Sequence, residues 1–300
     1  TTSSTASDWA AIIASQHAAD HHLPQVVLAG PSFPGDLGGV VTRTGASGQL
    51  EGLLDGSILD WSDVATQAPE RFAEDVMDAY MARRVGASSA YAVGQRDATL
   101  NAAYLSSLER AGSLKDLVGI VDWSSSGGLS DQARLAVDLL SLGITRCATL
   151  SSGYSWDTHS TNDTTQSGNF EGLFATLLEL KAALAATPSP AGGVLADDTV
   201  IVVLSEMGRT PQLNEADGKD HWPFTSMLIT GPGLTGGQVV GGFDESYYGR
   251  TIDLERGTLD DDGHDLSVDV VGATLLRLAG VDSEAWQPGV GVLEAVLDEG

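Results

Sequence analysis

In the second half of the chain, apolar positions alternate between helical spacing and short continuous runs. Residues 130–142 (SDQARLAVDLLSL) carry apolar side chains at helical spacing, opened by Ser130 and followed by Gly143, which predicts an amphipathic helix. Residues 144–150 predict a strand. Residues 166–186 predict a long helix with Phe170, Leu173, Phe174, Leu177, Leu178 and Leu184 on its inner face, and Pro188 and Pro190 mark its end. The run TVIVVL at 199–204 predicts a strand buried on both faces. Residues 226–230 (SMLIT) predict another short strand, and 266–279 an amphipathic helix. The first half is less periodic: 25–29 predicts a strand, 69–83 and 98–110 predict helices, and the glycine-rich stretch 35–56 reads as irregular.

Strand, helix, strand in succession implies a parallel pair with a right-handed crossover. The expectation is therefore an α/β fold with a mostly parallel central sheet sandwiched by helices. Ligands in such folds bind beyond the carboxyl ends of the strands. No internal repeat is present, and the loop-like stretches 30–39 and 187–193 do not read as interdomain linkers. One α/β domain over 1–300 is expected, with the candidate site in 130–300.

Composition changes this picture mainly by exclusion. Asp and Glu number 41 against 15 Lys and Arg, a net charge of −26 over 300 residues. Such a surface repels phosphate backbones and anionic bilayers, which sets aside nucleic acid and membrane surfaces as partners. No apolar stretch is long enough to span a bilayer. The single cysteine, Cys147, lies in an apolar run and reads as a small buried hydrophobe, so neither an internal disulfide nor a cysteine zinc site is available.

The polar groups at the predicted strand ends carry the candidate chemistry. Asp157 and His159 follow the first strand, Glu206 and Arg209 follow TVIVVL, and Asp220 and His221 (KDHWP) precede 226–230. Residues two apart in an extended segment face the same way, so Asp157 and His159 can aim at one point. With His221 they make an Asp/His/His set suited to Zn²⁺, Mn²⁺ or Fe²⁺ rather than Ca²⁺. Such an ion would act as a Lewis acid on an anionic ester, with Arg209 on a substrate oxyanion. Each residue also has a plain structural alternative: a turn cap for Asp157, an ion pair between Glu206 and Arg209, a packed ring for His221. Those alternatives stay open at this level. The HAADHH run (His17, His21, His22) reads as a solvated helix end, and Asp260-Asp261-Asp262-Gly263 as a solvated loop that lacks calcium-loop spacing. No G-x-S-x-G elbow is present.

The segments WDTHSTN, VIVVLSEMGRTPQLN, GKDHWP and GPGLTGGQVVGGFD resemble, in order and spacing, the domain of unknown function 1501 family of secreted bacterial proteins, a branch similar to the alkaline phosphatase and sulfatase superfamily. The resemblance covers roughly residues 130–285. It implies an alkaline phosphatase/sulfatase-like α/β sandwich, an exported metal-dependent hydrolase of phosphate or sulfate esters, a divalent ion (Zn²⁺ or Mn²⁺) and a small anionic ester as substrate. It implies Asp157, His159 and His221 as ligands of one metal and Glu206 as an acidic ligand of a second. Met207 stands where the phosphatases often carry histidine. The Gly-Gly-x-Asp-like segment of the family's first strand has no counterpart here, so the chain is expected to lack its N-terminal part, and with it the nucleophile and one ligand. That departure keeps a second expectation alive: a catalytically silent scaffold or binding protein.

Overall fold

The computed structural model describes residues 7–44, 71–89, 94–117, 120–122 and 127–298. The chain divides into two compact units, Thr1–Ser151 and Ser152–Gly300, where the sequence reading draws no boundary. The division falls in the small-residue stretch SSGYS, which carries no proline or charge run to mark it.

The first unit holds a three-stranded parallel sheet. Strand β1 (Gln25–Val27) lies between β2 (Val41–Arg43) and β3 (Cys147–Thr149), with Gln25 opposite both Val41 and Cys147. Helix α1 (Trp9–Ser15) is capped by Asp8, whose carboxylate accepts from Ala11 N. Helices α2 (Arg71–Ser89) and α3 (Gln95–Lys115) follow, joined by an ion pair of 3.0 Å between Lys115 and Asp78. Helix α4 (Leu129–Ser141) matches its predicted span within a residue and turns Leu135, Ala136 and Leu139 into a core with Val26, Leu28 and Ile144. Each fully buried leucine contributes on the order of 2 kcal/mol. Buried Gln132 on α4 clamps the chain beyond β3: its amide donates to Ser151 O (3.1 Å) and accepts from Ser151 N (2.9 Å). Cys147 sits within β3, and burial pushes its thiol up to about 12. Strand β2 and the 3₁₀ turn before it (Gly35–Val40) lie in the stretch expected to be irregular, and residues 45–56 of that stretch lie outside the described residues. Three residues are too few to show a period of two.

The second unit contains helix α5 (Asn162–Ala186), strand β4 (Ile201–Val203), β5 (Gly208–Arg209), β6 (His221–Trp222), β7 (Leu228–Thr230), helix α6 (Val268–Leu278) and the short α7 (Ser283–Trp286). Strands β4 and β7 pair antiparallel, with Val202 opposite Ile229. Strands β5 and β6 also pair antiparallel, with Arg209 opposite His221. Helix α6 is capped by Ser267, which accepts from Val270 N, and its apolar face packs Val270 with Ile252, Leu254 and Leu293.

Three expectations are corrected. Within the second unit, β4 pairs antiparallel with β7 rather than in the parallel arrangement expected of 199–204. An apolar run encodes burial but neither partner nor direction. The TVIVVL strand is half-buried rather than buried on both faces, and Leu204 is 54% exposed. On α5, Phe170, Phe174 and Leu178 are exposed, whereas Thr176 and Leu184 are buried. The fold is mixed α/β with a three-stranded parallel sheet; the remaining paired strands are antiparallel.

Candidate functional site

The site lies in the second unit and begins with the extended segment 154–160. Alternate residues of that segment point opposite ways. Trp156 and Thr158 turn toward α5: the Trp156 ring meets Phe170 edge-on at 5.0 Å, and Thr158 is buried with its hydroxyl donating to Asn162 Oδ1 at 2.7 Å. Gln166 on α5 secures both by donating to Trp156 O and Thr158 Oγ1, each at 3.0 Å. Asp157 and His159 are thereby left on the outer side, as the period of two requires.

The other side chains come from the β5–β6 hairpin and its connection. Cross-strand pairing puts Arg209 directly opposite His221, so the two share one face. The connecting turn is docked against the 157–162 segment: Lys219 N donates to Thr158 O and Asn162 N to Asp217 O, both at 2.9 Å. Gly218 makes this approach possible, because a Cβ there would fall on the main-chain carbonyl of His159.

The result is a small triangle of ligand atoms. Asp157 Oδ1 lies 3.1 Å from Nε2 of His159 and 3.1 Å from Nε2 of His221, and the two Nε2 atoms are 3.3 Å apart. Among the described residues these three side chains form the group that could hold a metal ion. All three are exposed to solvent. Asp220 Oδ1 lies 2.8 Å from His159 Nδ1, on the ring edge away from the triangle.

Arg209 is committed within this arrangement. Its Nη2 donates to Asp157 Oδ1 at 2.5 Å and its Nη1 to Lys219 O at 3.2 Å, and its side chain is 17% exposed. The guanidinium therefore orients Asp157. Hydrogen bonds from Arg209 first, and then from His221, hold the Asp157 carboxyl at about 2. Asp220 is also lowered, by its bond to His159 and then by Asn214. In the metal-free protein, a carboxyl depressed below its ordinary value near 4 contributes fully above about pH 4, and that contribution is lost as the pH falls toward 2. A carbon-13 titration of Asp157 is expected to give a midpoint of about 2, moving up toward the ordinary carboxylate range in Arg209→Ala. An unchanged midpoint in the variant would remove Arg209 as the cause.

Glu206 is not part of the triangle. It is exposed, and its carboxylate accepts from the Ser205 hydroxyl at 3.4 Å. The sequence reading placed Asp220 beside His221 but gave it no partner, and it passed over Asn214. Asn214 Nδ2 donates to His159 O (3.1 Å) and Asp220 Oδ1 (3.3 Å). Its turn context, L-N-E-A-D-G, was the available signal. Of the other candidates, His17 contacts Asp20 and His21 Nδ1 meets Gly143 O at 3.0 Å, while Asp261 pairs with Arg250.

The family model described as "Protein of unknown function (DUF1501)" matches residues 65–286, most of the chain. No curated protein and no solved structure matches it. No helix among the described residues is long and apolar enough to cross a membrane.

Proposed function

Because this chain belongs to the DUF1501 family, whose description carries no activity, we propose a function from the site itself: a metal-dependent hydrolase of phosphate or sulfate esters, with Asp157, His159 and His221 as the ligands of a Zn²⁺ or Mn²⁺ ion. The observation that supports this reading is the spacing of the triangle, 3.1, 3.1 and 3.3 Å. Ligands about 2.0–2.1 Å from a tetrahedral zinc stand about 3.3 Å apart, and octahedral neighbours stand somewhat closer. One carboxylate and two imidazoles suit those ions, and three protein ligands leave a position for substrate.

The protein's own groups have definable work. Asp157 brings the negative charge that offsets a cation, His159 and His221 present ring nitrogens, and Arg209 holds Asp157 in register. A divalent ion held there supplies Lewis-acid polarisation of the ester oxygen. Glu206 is placed in this proposal as an acidic group for a second ion, and that assignment, like export from a bacterial cell and the sulfatase-like ancestry, rests on motif resemblance alone.

The test is metal analysis of the purified protein followed by turnover of aryl phosphate and aryl sulfate esters before and after chelation. About one equivalent of transition metal, with hydrolysis lost on chelation and restored by Zn²⁺ or Mn²⁺, is expected. A folded protein that takes up neither ion would favour the second reading, a sulfatase-like scaffold that binds without turnover. The burial of Arg209, 17% exposed with Nη2 on Asp157 and Nη1 on the Lys219 carbonyl, favours that alternative, since two of its five N–H donors are taken and little of the guanidinium faces solvent.

A further inference from the structure

We propose that Asp220, braced by Asn214, is a positioning residue that fixes the His159 ring so that its Nε2 lone pair faces Asp157 and His221. The purpose of this arrangement rests on the metal reading above, but its geometry does not. A carboxylate can only accept, so the 2.8 Å contact between Asp220 Oδ1 and His159 Nδ1 places a hydrogen on Nδ1. Asp157 Oδ1, 3.1 Å from Nε2, already accepts from Arg209 and His221, so in the neutral ring Nε2 is the nitrogen that carries the free lone pair. Nε2 is also the atom that enters the triangle.

The brace is as well defined as the contact. Asn214 Oδ1 accepts from Ala216 N (3.0 Å) and Gly218 N (2.9 Å), which forces its amide nitrogen toward His159 O and Asp220 Oδ1. One side chain thus grips both the main chain of His159 and the carboxylate that orients its ring. The backbone of Asp220 is held as well: its N–H donates to Thr210 Oγ1 at 3.0 Å, and its carbonyl accepts from Thr210 N at 2.9 Å. Consecutive residues of the hairpin therefore meet opposite edges of one imidazole, Asp220 at Nδ1 and His221 at Nε2. Asp220 stands behind the triangle rather than as a fourth corner of it. Outer-sphere carboxylates of this kind typically contribute about 10–100-fold in metal affinity.

The test is made on the full chain, metal-free, by nitrogen-15 NMR of the His159 ring, and in parallel by calorimetric titration with Zn²⁺ alone. The wild type is expected to show the Nδ1–H tautomer. Asp220→Ala is expected to mix the tautomers and to weaken Zn²⁺ binding about 10–100-fold. Asp220→Asn, which keeps an oxygen able to accept from Nδ1, is expected to fall between them, and it serves as the working variant if Asp220→Ala does not fold. A His159 ring that keeps the Nδ1–H tautomer without Asp220 overturns the proposal. Weakened Zn²⁺ binding with that tautomer unchanged also overturns it, and makes Asp220 a ligand. If the wild type binds no Zn²⁺, the metal reading fails, while the tautomer measurement still decides the positioning role.

Discussion

His221→Ala is expected to lose the bound metal and, with it, ester hydrolysis, while the fold is retained. Nε2 of His221 forms two of the three edges of the ligand triangle, 3.1 Å to Asp157 and 3.3 Å to His159. Its removal leaves one carboxylate and one imidazole, too few to compete with water for a divalent ion. The loss in affinity should exceed the roughly 10–100-fold that follows removal of an outer-sphere partner. The side chain is 55% exposed and belongs to neither of the main apolar cores, so stability should change by only about 0.5 kcal/mol. Calorimetry with Zn²⁺ and Mn²⁺, beside a thermal melt in chelator, separates the two effects. A variant that binds metal as tightly as the wild type would remove His221 from the site, and the proposed hydrolase with it.

Gly218→Ala is expected to destabilise the second unit by about 3 kcal/mol or more and to disable the site at the same time. The new Cβ would overlap the carbonyl carbon and oxygen of His159 and crowd Ser160 N. Neither main chain can yield cheaply. Lys219 N to Thr158 O and Asn162 N to Asp217 O hold the turn against the ligand segment, and Asn214 N to Gly218 O (2.8 Å) closes the turn on itself. Separating the two moves His159 away from Asp157 and His221. At about 2–4 °C per kcal/mol for a unit of this size, the melting temperature should fall by roughly 10 °C. Gly168→Ala is the control: it lies within α5, and a Cβ there meets nothing within 4 Å, so the substitution should be neutral or stabilise by up to about 1 kcal/mol. If Gly218→Ala melts with the wild type, the close packing of turn on ligand segment is wrong.

The two variants separate what each kind of information carries. Helix α4 was legible because Ala133, Leu135, Ala136 and Leu139 repeat at helical spacing before Gly143, although its N-cap is Gly128 and the expected opener, Ser130, lies inside the first turn. The shared direction of Asp157 and His159 was legible because an extended chain has a period of two, and Thr158 between them is buried as that period demands. The exposed apolar stripe of α5 was misread because helical periodicity marks an apolar face without stating what covers it.

The sequence by itself determined the residue types of the site, the spacing within each segment and the family to which the chain belongs, since all three are properties of local order along the polymer. Only the tertiary structure decided that β4 pairs antiparallel with β7, that Glu206 stands outside the triangle, that Arg209 serves Asp157, and that Asp220 faces the far edge of the His159 ring. Those are contacts across 52 and 61 positions of chain for Arg209 and Asp220 respectively, and no local period specifies them. They follow from the closure of the 210–220 turn onto the ligand segment, which the absent side chain of Gly218 permits.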